Sequence, residues 1–273
     1  MSDWGLDSVT VRIGGVIALD GVSLAVAPGE VAVVVGGDGA GKTTVARTLA
    51  GLVRVAAGTV RRPEGRRVGY QPAGSGVWPD LTVDENLSFI ATAFRMGAAD
   101  APGRIDQLLG ATGLATVRDR LGAQLSGGMR QKLGVAMALL AEPEMLILDE
   151  PTTGVDPVSR HELWRLVSQT VASGTAVVMT TTYLDEAERA GTILALDGGR
   201  TLAVGTPAEV RRSLRGAVYA SDHPVEGAHQ WRRGAAWRIW TDGEAPPGGT
   251  PVSPDLGDVL IAAAFDAHGA AAR

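Results

Sequence analysis

The chain has 273 residues, a formal net charge of −5 at pH 7, 45% hydrophobic and 20% charged residues, and no cysteine. That length can bury the core of one large or two small domains, and the acidic balance argues against a partner such as nucleic acid, which is bound by neutralising phosphates. Disulfides and thiolate metal sites are excluded, His161, His223, His229 and His268 show no ligand spacing, and neither a spanning segment nor a signal peptide is visible, so a soluble, cytoplasmic chain is expected.

In chain order, residues 9–13 and 22–26 alternate apolar and polar side chains with period two and predict a small antiparallel sheet. Val31–Val35 is continuously apolar, as a strand buried on both faces is, and it runs through GGDGAGKTT into a helical stretch. Residues 82–141 read as helical throughout, broken at Gly97, Pro102-Gly103 and 122–128, which predicts an inserted helical subdomain over about 74–141. Strands at 145–148, 176–180 and 192–196 alternate with helices at 157–173 and 184–190, the order of a mostly parallel α/β sheet. Thr206-Pro207-Ala208-Glu209 is a capping box with proline at the first helical position. Beyond Gly216 the composition changes, and strands at 217–221 and 235–240, a loop at 245–250 and a helix over 255–268 are expected.

Three motifs carry chemistry. GGDGAGKT, from Gly36 through Gly37, Asp38, Gly39, Ala40 and Gly41 to Lys42 and Thr43, fits a phosphate-binding loop placed between a buried strand and a helix, with Thr44 in the first turn. Its backbone N–H groups would cradle phosphate, Lys42 would hold the β- and γ-phosphates, and the Thr43 hydroxyl would ligate Mg2+. Lys42 is one of only two lysines in a chain whose other basic side chains are arginines. MLILDEP puts Asp149 and Glu150 at the carboxyl end of a strand, Asp149 suited to the Mg2+ shell and Glu150 to activating water. LSGGMRQK places Ser126, Gly127 and Gly128 before a long helix, a second anion-binding terminus that one nucleotide cannot readily share with the first.

With PTTGVDP, where Asp156 takes the D-loop position, and TTTYLDEAERA, these motifs make nearly the whole chain resemble an ATP-binding cassette ATPase, the nucleotide-binding subunit of ABC transporters. The resemblance implies an α/β P-loop NTPase fold, RecA-like with a mostly parallel sheet, an antiparallel β-subdomain, the helical subdomain and a small C-terminal α+β extension. It divides the chain into an ATP-binding domain at 1–215 and an accessory region at 216–273. It also implies ATP and Mg2+ as cofactors and a head-to-tail dimer, with itself or with another ABC ATPase, in which each LSGG closes on the partner's ATP. GMRQKLGVA, GVDPVSRHELW and YLDEAER resemble the exporter type, whose membrane subunits are separate chains docked in a groove that falls here near Val77-Trp78-Pro79. Such a subunit is peripheral on the inner face of the cell membrane.

Three positions depart from that family. Ile13 stands where an aromatic normally stacks on adenine, leaving Trp4 as a candidate substitute ring. Ala73 stands at the family glutamine, with a glutamine at Gln71 instead, two residues and roughly 6.6 Å back along the strand. Thr182 replaces the switch histidine, and losing one transition-state donor commonly slows a reaction about 10²–10³-fold. Slowed hydrolysis with retained binding is therefore expected, and a degenerate regulatory or scaffold subunit is the alternative.

Overall fold

A computed structural model describes residues 3–271, with side chains described through residue 267. Its centre is a six-stranded sheet in the order β5 (Val68–Gln71), β6 (Met145–Asp149), β7 (Ala176–Thr181), β3 (Val31–Val35), β8 (Thr192–Asp197), β9 (Arg200–Gly205). Neighbouring strands are parallel except β9, which returns antiparallel to β8. Continuous apolar runs form these strands because both faces are covered. In β3, Val33 and Val35 pack into one core while Ala32 and Val34 pack into the other, and β6 and β7 divide their side chains the same way. Each fully buried side chain of this size contributes about 1.5–3 kcal/mol, so a one-residue slip in register is strongly disfavoured.

One face of the sheet is covered by α1 (Lys42–Leu49) and by a three-stranded antiparallel sheet of β2 (Val16–Val26), β1 (Trp4–Ile13) and β4 (Ala57–Arg61). The other carries α4 (Gly127–Leu139) and α5 (Pro157–Ala172), with α2 (Val83–Ala93) and α3 (Ala101–Thr112) joining the same core. α2 begins with a full capping box in which Glu85 N–H donates to Thr82 Oγ1 and the Glu85 carboxylate accepts from Thr82 N–H. The short α6 (Leu184–Ala187) follows β7 and ends earlier than its sequence pattern suggests.

The capping box at Thr206 starts α7 (Pro207–Arg212). Beyond it lies an antiparallel sheet in the order β11 (His229–Arg233), β12 (Ala236–Thr241), β10 (Ala217–Ser221), β13 (Thr250–Val252), backed by α8 (Leu256–Ala271). Two of these strands, β11 and β13, are additions to the two expected from sequence. Val218, Trp240 and Ala262 form its core, with Trp231 and Phe265 against them, while Leu256 and Val259 of α8 belong to the main core. Trp237 lies under the Arg232 guanidinium. His223 is exposed; His229 is exposed on one side but stacks on Phe265, 4.8 Å between ring centroids. The His268 side chain lies outside the described residues. Among the described residues no helix is long and apolar enough to cross a membrane.

Candidate functional site

The parallel register brings three strand ends together, because Thr180 of β7 sits opposite Asp149 on one side and Val34 on the other. The loop leaving β3 must turn sharply to enter α1. Gly41 does so at φ +106°, and a side chain at Gly36 would put its Cβ 2.5 Å from the Leu196 carbonyl oxygen. Gly37, Asp38 and Gly39 are exposed, Ala40 is buried, and among the described residues no side chain caps α1, so the N–H groups of Lys42, Thr43 and Thr44 stand at an open positive helix end.

Lys42 is 5% exposed, and its Nζ donates to the carbonyl oxygens of Gly36 at 2.9 Å and Gly37 at 3.0 Å while pairing with Glu150 Oε1 at 3.2 Å. One ammonium thus sits among two carbonyl oxygens of the loop and a carboxylate oxygen just past β6. Glu150 has a left-handed backbone, φ +49°, and its N–H donates to Thr180 at both the carbonyl oxygen, 3.2 Å, and Oγ1, 2.9 Å. Its other carboxylate oxygen accepts from the Thr153 hydroxyl at 3.2 Å.

Asp149 is 1% exposed, and its Oδ1 accepts the hydroxyls of Thr43 at 3.2 Å and Thr180 at 2.7 Å. Its Oδ2 is buried with no hydrogen-bond partner among the described residues. A buried carboxylate oxygen left unpaired costs at least about 1–3 kcal/mol, which a hard cation seeking oxygen ligands relieves. Asp149 and Thr43 therefore fit Mg2+, which commonly takes one or two carboxylates and completes its shell with phosphates and water. Among the described residues no group of three or more His, Cys, Asp or Glu forms an all-protein metal cage. Next to this site the Tyr70 phenol is pushed above its ordinary value by burial and by the Asp149 charge, against the pull of Arg47.

Ser126 and Gly127 are exposed and Gly128 is buried; the Ser126 hydroxyl caps α4 by accepting Met129 N–H at 3.2 Å. Because α4 and α1 pack on opposite faces of the central sheet, this terminus and the Lys42 loop face different cores of the same chain. Asp156 caps α5, and the Ser159 N–H, helped by Val158 N–H, holds its carboxyl below the ordinary range.

Of the departing positions, Ile13 is 52% exposed at the tip of the β1–β2 hairpin. Trp4 does not substitute for an aromatic there. It starts the same strand nine residues away, roughly 30 Å, and lines a cleft with Pro28, Glu144 and Thr175 at the amino ends of the parallel strands. Gln71 is fully buried and points to α4, where its Nε2 donates to Gln131 Oε1, while Gln131 Nε2 donates to the Ala73 carbonyl at 3.3 Å. Thr182 is exposed, one residue beyond β7.

A family model described as ABC transporter matches residues 19–153. Over 208 residues, 72% of this chain and 69% of the other, the sequence is 38% identical to the Nod factor export ATP-binding protein I of Cupriavidus metallidurans. The chain belongs to the ATP-binding proteins of ABC transporters. It is also 39% identical over 209 residues to the probable multidrug ABC transporter ATP-binding protein YbhF of Escherichia coli, a match that spans 73% of this chain and 36% of that longer protein. A solved structure of an ATP-binding subunit of an ABC transporter superposes with TM-score 0.70 at 29% identity, covering 78% of this chain and 93% of that one. The α/β fold with its parallel sheet is thus the fold of this family.

In this ABC protein Val77 packs against the main core while Trp78 and Pro79 are exposed. Trp78 is 38% exposed and packs edge to face on Phe89, itself 51% exposed, at 4.6 Å between centroids. Asn86 pins the Trp78 backbone by accepting its N–H at 2.8 Å and donating to its carbonyl at 3.2 Å. A cavity of about 210 Å³ opens beside it, lined by Tyr70, Pro72, Ile90, Phe94 and Met137 among others.

Two residues at the site escape sequence reasoning. Thr180 reads in sequence as the last residue of a strand and the first of TTTYLDEAERA, with nothing to tie it to Asp149. Glu186 is 1% exposed and accepts from Thr181 Oγ1 at 2.6 Å, Thr152 Oγ1 at 3.0 Å and Trp164 Nε1 at 3.1 Å. Arg160 of α5 lies 3.9 Å over the Tyr183 ring, so the segment around Thr182 is tied to α5 on both sides.

Proposed function

We propose that this chain binds and hydrolyses Mg-ATP at a head-to-tail dimer interface and so drives export through separate membrane subunits, with hydrolysis slowed by Ile13, Ala73 and Thr182. The observation that carries this reading is the convergence of Lys42, Thr43, Asp149 and Glu150 on one sheet edge, in contact with one another.

In this reading the N–H groups from Gly37 to Thr44 and the Lys42 ammonium hold the phosphates, and Thr43 and Asp149 hold Mg2+. When bound, the ion neutralises charge developing between the β- and γ-phosphates. Glu150 takes the proton of the attacking water on its carboxylate, and its contact with Lys42 keeps it at the γ-phosphate end. Thr182 supplies one neutral hydroxyl where the family has a cationic imidazole, so less transition-state charge is balanced. Ser126, Gly127 and Gly128 serve the ATP of a partner, which their position across the sheet from the chain's own loop favours. Asp156, exposed at the start of α5, lies at the same interface.

The exposed Trp78–Phe89 pair and the cavity beside it receive the membrane subunit, since large rings beside a pocket are the usual anchors of an interface. Through that contact the subunit is held at the inner face of the membrane. The names of the relatives, one for multidrug transport and one for Nod factor export, favour the export direction. The three departures also favour a second reading, a degenerate subunit that binds ATP and lends Ser126 to a competent partner.

Sedimentation tests the dimer. The Glu150→Gln protein is expected to self-associate in Mg-ATP while Lys42→Ala stays monomeric; ATP binding with no self-association would assign the dimer to a different ABC chain.

A further inference from the structure

We infer that Thr180 is a positioning residue for both the metal and the general base, an inference that rests on the ATP-hydrolysing reading of the site. Thr180 is fully buried, and the four strand residues before it, Ala176 to Met179, are apolar and equally buried, so packing alone does not call for a hydroxyl. A hydroxyl has one proton and two lone pairs. Here the proton goes to Asp149 Oδ1 at 2.7 Å, and a lone pair accepts Glu150 N–H at 2.9 Å.

The resulting chain, Glu150 N–H to Thr180 Oγ1 to Asp149 Oδ1, has two consequences. It fixes the rotation of the Asp149 carboxylate so that Oδ1 is spent on two hydroxyls and Oδ2 is left unpaired for the ion. It also gives the left-handed turn at Glu150, φ +49°, a side-chain acceptor in addition to the Thr180 carbonyl, which sets where the Glu150 carboxylate points. Partners that orient a metal ligand commonly change metal affinity about 10–100-fold when removed. Val34 flanks Thr180 on the P-loop side, so among the paired neighbours the hydroxyl has its partner on the Asp149 side only.

Thr180→Val keeps the shape and removes the hydroxyl; Thr180→Ser keeps the hydroxyl. The measurement is equilibrium binding of a fluorescent ATP analogue during Mg2+ titration and in EDTA, with turnover at saturating Mg2+ beside it. The valine variant is expected to need about tenfold more Mg2+ for half-maximal effect, with affinity in EDTA within twofold of wild type, a lower kcat and little change in KM; serine restores all of these. An unchanged Mg2+ requirement in the valine variant overturns the inference, as does an equal loss of affinity in EDTA. If valine does not fold, Thr180→Ala is used the same way, and failure of both to fold assigns Thr180 to the core and overturns the inference too. Wild-type protein that binds no ATP analogue under any condition overturns the nucleotide reading itself, and the positioning role with it.

Discussion

The Thr181 hydroxyl donates to Glu186 Oε2 at 2.6 Å, tying the residue just before exposed Thr182 to a carboxylate that is 1% exposed. The same carboxylate accepts from Thr152, just past Glu150, and from Trp164 of α5. Glu186→Ala strands three buried donors and is expected to lower stability by about 3 kcal/mol. Glu186→Gln can accept the indole N–H and donate to the two hydroxyls, so it should cost only about 1 kcal/mol. Urea unfolding of the two variants checks this. Equal losses would show that the hydrogen bonds do not account for the effect.

Acid should weaken the fold through helix-cap carboxylates. Thr82 N–H holds Glu85, Ser159 N–H holds Asp156 and Thr206 N–H holds Glu209 below their ordinary values of 4.5, 3.8 and 4.5. The folded state therefore prefers the charged form. The stability this adds is fully present above those ordinary values and is lost as pH falls through the lower folded ones. Urea midpoints should be flat from about pH 7 to 5 and fall below about pH 4.5, with a shallower fall in Glu85→Gln. A midpoint that rises on acidification would contradict this assignment.

Ile13 is half exposed at a hairpin tip, so enlarging it should leave the core untouched. With adenine on this hairpin, as proposed, an aromatic there would add base stacking worth about 1–3 kcal/mol, and Ile13→Tyr should tighten ATP binding roughly fivefold or more. Calorimetric titration with Mg-ATP reads this directly. Unchanged affinity would mean that adenine does not lie on this hairpin.

The buried Gln71–Gln131 pair joins the central sheet to α4, and Gln131 reaches the Ala73 carbonyl as well. Gln131→Leu leaves the Gln71 amide buried and unpaired, and Gln71→Leu takes the donor from Gln131 Oε1 while Gln131 Nε2 keeps the Ala73 carbonyl, so each should cost about 1–3 kcal/mol, the first more than the second. The double variant should cost less than the sum, since both remove one link. Additive losses in urea unfolding would show that the two glutamines act separately.

Much of the site was legible because its signals are local. The loop from Gly36 to Thr43, the strand ending at Asp149 and the cap at Ser126 each combine residue type and period within about ten positions. What was not legible spans the chain. Glu186 meets Trp164 across 22 residues and Thr152 across 34, and Thr180 meets Asp149 across 31, distances over which periodicity says nothing. The sequence pattern starts the first strand at residue 9 and leaves Trp4 unplaced, whereas β1 runs from Trp4 to Ile13 and carries the ring to the end far from Ile13. Strand β11, HQWRR, carries no apolar alternation and is a strand only because β12 lies beside it.

The most direct test is Mg-ATP turnover of the wild-type chain beside Lys42→Ala, Glu150→Gln and Thr182→His. Measurable wild-type hydrolysis is expected, at least about 10²-fold slower in the first two variants and faster in the third. Wild-type turnover no greater than that of Glu150→Gln would contradict hydrolysis at this site.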